Sequence, residues 1–240
     1  MDLSAVPHLA TLKTDIPFIN FFDGFRTSHE YHKIEELDQN EVAKLVDPAD
    51  IKRFRDRALT PERPVTRGTA ENPETFFTHR EACNAAYDKI PEVVEHYMQE
   101  LGKITGREHH LFDYYGAADA ERVIILMGSA TEAAREAIDY LTAKGEKVGM
   151  VSVHLYRPFS VKHLLAAVPQ SCKKIAVLDR TKEPGAEGEP LYLDVKSAFY
   201  DVENKPVIVG GRYGLGSNDT TPAKIIAVFN NCLLYTSDAA

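Results

Sequence analysis

The chain has little of what marks several large classes of protein. It contains three cysteines in 240 residues, and Cys83, Cys172 and Cys232 lie too far apart for a disulfide framework or a Cys-x-x-Cys metal site. Such sparse cysteine is typical of a reducing cytosol. No apolar run approaches the roughly 20 residues that a membrane-spanning helix requires, so we expect no insertion into a membrane.

An excess of basic residues is also missing. The formal net charge is −8, whereas nucleic acids and anionic membranes attract basic surfaces. The first residues, MDLSAVPHLATLK, lack the charged-then-apolar layout of a signal peptide. We therefore expect a cytoplasmic protein that binds neither nucleic acids nor membranes. Its 44% hydrophobic and 27% charged residues are ordinary for a globular protein.

What the sequence does contain is an alternation of strands and helices from Glu121 to Gly185. The apolar runs Val123–Met127, Val148–Val153 and Ile175–Leu178 are typical of parallel strands that are buried on both faces. An amphipathic segment separates each run from the next. This βαβαβ pattern predicts an α/β fold, and it places the functional loops after the carboxyl ends of the strands.

The two helices of this pattern carry their own start and stop signals. Ser129 and Glu132 have the spacing of a capping box, and Gly145 is placed to end the first helix. Ser160 is the predicted cap of the second helix, which Pro169 ends.

Further elements are predicted on both sides of this stretch. Pro91 is expected to kink the longest helical pattern, and Asn40 and Thr221 are the predicted caps of two other helices. The predicted elements are helices at Met1–Lys13, Ser28–Lys33, Gln39–Val46, Phe77–Leu101, Leu191–Tyr200 and Pro222–Phe229, and strands at Pro17–Phe22 and Val207–Val209.

Two loops that follow strands are glycine-rich. Gly128–Thr131 lacks the further glycines of a dinucleotide fingerprint and the lysine of a Walker motif, so helix capping is favoured over anion binding. Gly210–Ser217 leaves two interpretations open. Arg212 could bind a phosphate or carboxylate bidentately, or the glycines could serve a turn that requires positive φ angles.

Other charged stretches favour structural interpretations. Asp50–Asn72 is rich in arginine, and ion pairing within this loop is favoured over an anion clamp. Arg180–Gly185 follows a strand, but a solvated turn explains its mixed charges better than a ligand loop. His29 and His32 have no cysteine or further histidine at metal-ligand spacing. No Gly-x-Ser-x-Gly nucleophile motif is present.

Several of these stretches together resemble one family, the pyruvate:ferredoxin (flavodoxin) oxidoreductases. The resemblance extends from the first residues to about Phe229, and the joint occurrence of its motifs is far more specific than any one of them. It is carried by FFDGFRTSHE at 21–30, Arg67-Gly68-Thr69-Ala70, Thr181-Lys182-Glu183-Pro184-Gly185 and Tyr213-Gly214-Leu215-Gly216-Ser217.

The resemblance implies an incomplete thiamine-binding-type α/β domain followed by a parallel-sheet domain. Residues 1–116 would be the C-terminal part of a pyrimidine-binding thiamine-type domain with a long loop and a helix. Residues 117–231 would be a transketolase C-terminal-like domain, whose Arg-Pro pattern Tyr156-Arg157-Pro158-Phe159 fits. Residues 232–240 fit no continuing pattern and would be a non-native tail.

The same resemblance implies a chemistry and its cofactors. Family members oxidatively decarboxylate pyruvate with coenzyme A; thiamine diphosphate with magnesium carries the carbanion chemistry, and 4Fe-4S clusters pass electrons to ferredoxin or flavodoxin. The implied partners are the remaining domains of the same enzyme, the electron acceptor and a second copy in a homodimer. Another 2-oxo acid as substrate, and a scaffold without catalytic activity, remain open alternatives.

The chain lacks the motifs that carry this chemistry. It has no Gly-Asp-Gly…Asn motif for the diphosphate and magnesium, and no Cys-x₂-Cys-x₂-Cys run for a cluster. We therefore expect an internal piece of a longer enzyme that is inactive alone, with Met1 an internal methionine. Catalytic, cofactor and metal ligands are not assigned.

A few residues are candidates for lining a site or an interface. They are Arg26, Thr27, Ser28 and His29, which follow the first predicted strand, and Arg212 in the glycine-rich loop. Asn218 stands where the family usually has lysine, so a cofactor or interdomain contact made by that lysine would be weakened here.

Overall fold

The computed structural model describes residues 1–24, 26–65 and 70–234, without the side chains of Arg26 and of residues 232–234. The chain forms two compact units. Unit 1 contains Met1–Phe21 and His32–His110, and unit 2 contains Phe22–Tyr31 and the chain from Leu111 onward. The motif at Arg67-Gly68-Thr69 and the chain end after Leu234 lie outside the described residues.

The helices and strands are short. The α-helices are α1 (Asp2–Thr14), α2 (Arg26–His29), α3 (Gln39–Ala43), α4 (Pro48–Asp56), α5 (Pro73–Ala82), α6 (Asn84–Tyr87), α7 (Ile90–Thr105), α8 (Ala130–Thr142), α9 (Val161–Ala167), α10 (Pro190–Ala198) and α11 (Pro222–Leu234). The strands are β1 (Phe112–Gly116), β2 (Arg122–Leu126), β3 (Val148–Val153), β4 (Lys174–Asp179) and β5 (Val207–Arg212). Within the described ranges, no helix has the length and apolar character needed to cross a membrane.

Unit 1 is built on the packing of α1 against α7. Apolar side chains recur at helical spacing along one face of each helix, which gives both a stripe to bury. Gly106 ends α7 with a φ of 70°, and its N–H donates to the Gly102 carbonyl at 2.8 Å. The buried residues are Val6, Leu9 and Ala10 of α1 and Ile90, Val94, Tyr97, Met98 and Leu101 of α7.

Helix α4 is attached to the carboxyl end of α1 by charge. The Arg53 guanidinium donates to the carbonyls of Leu12 and Lys13 at 2.8 and 3.0 Å, where the last carbonyls of a helix attract cations. Arg53 and Lys13 also pair with Asp50, which is buried. The pair between Arg53 and Asp50 confirms ion pairing within the arginine-rich stretch. The prediction of a loop is wrong for its first part, because the residues from Asp50 to Asp56 lie in α4.

The buried strand predicted at Pro17–Phe22 is wrong. This segment is not in a strand, and the side chains of Ile19, Phe21 and Phe22 are 88%, 65% and 73% exposed. An apolar run is buried only where another surface covers it, and no strand pairs with this one within the described residues. Sequence pattern alone gives no information on that second surface.

The long helix predicted at Phe77–Leu101 is also wrong, because three helices, α5, α6 and α7, replace it. Pro91 does not kink a helix but lies in the first turn of α7. A proline is tolerated there because the N–H that it lacks would have no partner within the helix.

Two short helices near the N-terminus differ from the prediction in detail. Asp38 caps α3 in place of Asn40, because its Oδ1 accepts from the Asn40 N–H at 2.8 Å. The helix predicted at Ser28–Lys33 is shifted towards the N-terminus and forms α2.

Unit 2 contains a five-stranded sheet in the order β1-β3-β2-β4-β5. The four strands β2 to β5 pair in parallel, and β1 pairs antiparallel with β3. Arg122 at the start of β2 lies opposite Val148 of β3 and Lys174 of β4. The predicted α/β fold with a mainly parallel sheet is confirmed.

The three central strands, β2, β3 and β4, are buried on both faces, as their apolar runs predicted. Alternate residues of a strand point to opposite faces. One set packs with α8 and α11 in a single core, and Leu164 and Leu191 of α9 and α10 are fully buried elsewhere in the unit. The core against α8 and α11 includes Ile124, Leu126, Val148, Met150, Ala176, Leu178, Ala134, Ile138, Ile225 and Phe229.

Phe229 provides a test of this core, because its side chain is 0% exposed. We expect Phe229→Ala to lower the free energy of unfolding by about 3–5 kcal/mol, through lost burial and the cavity that remains. Urea denaturation followed by circular dichroism measures the change. Tyr200→Ala is the control, since Tyr200 is 73% exposed. Equal losses for the two variants would contradict the described packing of α11.

Candidate functional site

Loops from three parallel strands meet at the carboxyl edge of the unit 2 sheet. Ser129 follows β2, Arg180 follows β4 and Gly214 follows β5. The segment Phe22–Tyr31, which belongs to the same unit, reaches this edge through Asp23. In a parallel sheet the loops at this edge are the ones that hold ligands.

The Asp23 carboxylate joins two of these loops. Its Oδ2 accepts from the Ser129 N–H at 3.0 Å, from the Ser129 hydroxyl and from Arg180 Nη1 at 2.9 Å. Arg180 Nε donates in turn to the Gly214 carbonyl at 3.3 Å. The Asp23 side chain is only 13% exposed, so its negative charge is held by these donors more than by water.

Ser129 does not form the predicted capping box. Its hydroxyl donates to Asp23 and makes no bond to the first turn of α8. Asp23 instead supplies the acceptor for the Ser129 N–H at this helix terminus. The N-terminus of α8 is therefore capped by Asp23, which is 106 positions away in the chain from Ser129. Ser160 similarly begins α9 without a cap bond, since its hydroxyl bonds to the His163 ring at 2.6 Å.

Tyr213 lies in the same loop as Gly214 and bonds to the end of another strand. Its hydroxyl donates to the Met127 carbonyl at 2.9 Å, which connects the loop after β5 to the end of β2. Burial raises the pKa of Tyr213 to about 12, and the negative charge of Asp23 adds to the shift. Tyrosine is protonated at physiological pH even with its ordinary pKa, and the shift extends the pH range in which Tyr213 donates this hydrogen bond.

A second carboxylate, Glu189, neutralises Arg212. Glu189 is buried and accepts from Arg212 Nε and, at 2.7 Å, from the Glu183 N–H. Lys182 Nζ lies 3.8 Å from the same carboxylate. The hydrogen bond from Arg212 holds the pKa of Glu189 below its usual range. An anion that binds Arg212 must compete with this pair.

A third carboxylate, Asp179, caps α10 from the end of β4. It accepts from the Leu191 and Tyr192 N–H groups at 2.9 and 3.1 Å, which are orphan donors of the helix terminus. Burial raises the pKa of Asp179, although the two backbone bonds oppose the shift. Its role is therefore to fix α10 against the sheet.

The glycines at 210–217 serve backbone geometry and close packing. A Cβ on Gly210 would lie 3.0 Å from the Tyr192 ring, and one on Gly211 would lie 2.8 Å from Leu178. Gly214 and Gly216 have φ angles of 63° and 59°, which glycine adopts without steric cost. The turn with positive φ angles thus accounts for Gly214 and Gly216, and close packing accounts for Gly210 and Gly211.

A cavity of about 310 Å³ lies beside this loop, with Arg212, Tyr213, Asn218 and Lys224 among its lining residues. Lys224 Nζ donates to the Asn218 side chain and to the Asp219 carbonyl. Both cationic side chains of the cavity are thus already paired. Asn218, which replaces the lysine that is usual in the family, accepts a hydrogen bond from Lys224 through its amide oxygen.

The loop after β3 carries its own ion pair. Arg157 lies over the Tyr156 ring at 4.0 Å and pairs with Asp194 of α10 at 2.8 Å. Burial raises the pKa of Tyr156 to about 12. This loop is therefore anchored to α10, as the Arg180 loop is anchored to Asp23.

The candidate residues from the sequence lie on two elements. Thr27, Ser28 and His29 lie on α2, with Ser28 and His29 exposed and 3.1 Å between Ser28 Oγ and His29 Nδ1. Arg212 ends β5. The backbone of Arg26 begins α2, and its side chain lies outside the described residues.

Sequence reasoning missed Asp23, Arg180 and Glu189 as the centres of this edge. Asp23 was visible as the first acid of the FFDGFRTSHE motif, but nothing in the motif indicated its partners. Arg180 directly follows an apolar strand, which was the available signal. Glu189 had none, because its partner Arg212 is 23 positions away in the chain.

This edge does not fit a magnesium–diphosphate group. Such a group needs carboxylate or carbonyl oxygens that are available to the metal. The three buried or largely buried carboxylates described above are instead engaged, Asp23 with Arg180, Asp179 with α10 and Glu189 with Arg212. Among the described residues, we therefore assign no cofactor ligand at this edge.

Comparison with known sequences places the chain in a class. Residues 1–99 match the profile of the family described as pyruvate flavodoxin/ferredoxin oxidoreductase, thiamine diphosphate-binding. Residues 120–225 match pyruvate:ferredoxin oxidoreductase core domain II. The two matched regions together cover most of the chain and follow one another in a single enzyme family. The chain belongs to the pyruvate:ferredoxin/flavodoxin oxidoreductase family.

Individual relatives are close in sequence but much longer. The pyruvate-flavodoxin oxidoreductase of Enterobacter agglomerans is 60% identical over 231 residues, which are 96% of this chain and 20% of that protein. The pyruvate:ferredoxin oxidoreductase of Moorella thermoacetica is 54% identical over 236 residues, 98% of this chain and 20% of that protein. The chain thus spans about one fifth of these relatives.

Among solved structures, a 2-oxoglutarate:ferredoxin oxidoreductase from Magnetococcus marinus, with 2-oxoglutarate, coenzyme A and succinyl-CoA bound, is similar at a TM-score of 0.42. The sequence identity is 19%, over 82% of this chain and 30% of that one. A similarity this low says nothing about the chemistry of the present chain.

The Glu189–Arg212 pair predicts a pH-dependent contribution to stability. Because the folded-state pKa of Glu189 is lowered, its contribution is present above the unfolded-state pKa of about 4.3 and is lost as the pH falls through the folded-state pKa. We expect Glu189→Gln to lower the melting temperature most at pH 7, with the difference from wild type disappearing in acid.

Thermal melting of wild type and variant between pH 7 and pH 3 measures this dependence. Glu187→Gln, at an exposed position two residues away, removes the same charge and should change the melting temperature little at any pH. A Glu189→Gln effect that is the same at pH 7 and pH 3 would exclude a role for the ionised carboxylate.

Proposed function

We propose that this chain forms part of an enzyme that oxidatively decarboxylates pyruvate. Pyruvate would lose carbon dioxide, its acetyl group would pass to the coenzyme A sulfur, and two electrons would leave singly for ferredoxin or flavodoxin. One observation carries the proposal: 60% identity to a pyruvate-flavodoxin oxidoreductase across 96% of the chain. Identity of this extent covers both matched domains, so it does not depend on a single motif.

The cofactors for this chemistry would be bound by other parts of the proposed enzyme. Thiamine diphosphate with magnesium would carry the carbanion, and 4Fe-4S clusters would carry the electrons. We propose residues 1–116 as the C-terminal part of a pyrimidine-binding thiamine-type domain and residues 117–231 as a transketolase C-terminal-like domain. The units of the structure divide the chain differently, because β1 pairs with β3 and Phe22–Tyr31 belongs to unit 2. Residues 232–234 complete α11, so the segment proposed to belong to neither domain is the part of 232–240 that follows Leu234.

Within that enzyme, unit 2 would be a support for the thiamine site. Its strand-edge acids are used in ion pairs and caps, which suits a domain that holds neighbouring segments in place. Arg26, Thr27, Ser28, His29 and Arg212 are the proposed residues that line the site or an interface with the remaining domains. A homodimer in the cytoplasm is the proposed working form.

The test compares the 240-residue chain with the full-length enzyme that contains it. We expect the full-length enzyme to form acetyl-CoA and reduced ferredoxin or flavodoxin from pyruvate, coenzyme A and thiamine diphosphate with magnesium. We expect the purified chain to give the same signal as a blank without protein, because it lacks the cofactor and cluster motifs. Absorbance of the reduced acceptor and chromatography of acetyl-CoA measure both.

Two outcomes would overturn the proposal. Turnover by the purified chain would show that the chemistry lies within it. A full-length enzyme that ignores pyruvate but turns over another 2-oxo acid, tested with 2-oxoglutarate in a parallel reaction, would change the substrate. The second arm is needed because the sequence of this chain does not identify the residues that select the 2-oxo acid.

A further inference from the structure

We propose that Asp23 is a positioning residue, whose carboxylate fixes the segment Phe22–Tyr31 at the carboxyl edge of the unit 2 sheet. The segment carries Thr27, Ser28 and His29, so Asp23 would set where these side chains are presented. Its effect on turnover rests on the function proposed above. Its effect on the segment follows from the contacts in unit 2 and is tested separately.

The first argument is the number and kind of donors. A backbone N–H, a hydroxyl and a guanidinium converge on the Asp23 carboxylate from two loops. Hydrogen bonds to an ionised acceptor are roughly twice as strong as neutral ones. The partial burial of Asp23 and Arg180, 13% and 28% exposed, reduces their screening by water.

The second argument is that apolar burial does little to hold the two ends of the same segment. Phe22 is 73% exposed and Tyr31 fully exposed, and these are its two terminal residues. Gly24, Ser28 and His29 are exposed as well. At these positions little apolar surface is removed from water, so the charged contacts of Asp23 are an attachment that does not depend on apolar burial.

The third argument comes from the opposite side of the contact. Gly128 has a φ of 80°, and a Cβ at this position would lie 2.3 Å from Asp23 Oδ1. A side chain at Gly128 would force the Asp23 carboxylate to shift, and the positive φ also disfavours one. The loop after β2 is therefore shaped to receive this carboxylate.

Arg180 completes the arrangement by linking two strand-end loops through Asp23. Its Nη1 holds the carboxylate and its Nε holds the Gly214 carbonyl. Removal of the Asp23 charge would leave the guanidinium with the carbonyl alone. We therefore expect Asp23 and Arg180 to act as a unit, so that substituting either one produces most of the effect of substituting both.

The direct test is limited trypsin digestion of the 240-residue chain, which reports cleavage after Arg26. Cleavage of a locally opened segment follows the population of its open form. We expect Asp23→Asn, which keeps the size but removes the charge, to raise the rate of cleavage after Arg26 roughly tenfold. Gly128→Ala should have the same effect by steric exclusion, without altering any charge.

Two controls separate local release from general unfolding. Cleavage after Lys174, which lies in β4, should stay at the wild-type rate in both variants, because the sheet remains folded. Asp56→Asn removes a carboxylate that pairs with Lys52 on exposed α4 and should leave cleavage after Arg26 unchanged. Wild-type rates after Arg26 in both test variants, or equal acceleration after Lys174, would overturn the proposal.

The full-length enzyme tests the consequence for catalysis. We expect Asp23→Asn and Arg180→Gln each to lower kcat/KM for pyruvate roughly tenfold, with the double variant little worse than either single one. Additive losses would contradict a shared role. If the full-length wild-type enzyme does not oxidise pyruvate, the proposed function fails, and the digestion result still decides whether Asp23 fixes the segment.

Discussion

The carboxylate of Asp23 is the contact on which the arrangement of the strand-end loops depends. A largely buried carboxylate is stable only with hydrogen-bond donors around it. Here the donors are the Ser129 N–H and the Arg180 guanidinium. Because these residues follow different strands, satisfying one charge fixes two loops and the segment that carries Asp23. Tyr213 adds an uncharged hydrogen bond beside the same cluster.

The two other buried carboxylates of this edge are also held by hydrogen-bond donors. Asp179 accepts hydrogen bonds from the first N–H groups of α10, and Glu189 accepts from Arg212 and from the Glu183 N–H. An acid that is used in this way is not available to coordinate a metal or to move protons. The carboxyl edge, which in many α/β proteins is the active site, has in this chain the character of a structural support.

The wrong predictions from the sequence share one cause. The local pattern of apolar residues does not show which other part of the fold packs against them. The run at Pro17–Phe22 has the composition of a buried strand, yet Ile19 is 88% exposed. Pro91 breaks the helical pattern as predicted, but it begins a helix where a kink was expected. The helices of unit 2 were predicted well because their apolar stripes face a sheet that the same stretch of sequence forms.

By itself the sequence determined the α/β class, the parallel strands of unit 2 and the family. Buried strands and amphipathic helices follow from the order of apolar residues over five to fifteen positions, and the family follows from several motifs together. Only the tertiary structure decided which charges pair. Asp23 and Arg180 are 157 positions apart, and no local pattern encodes a contact of that span, because it depends on where the whole sheet places the ends of its strands.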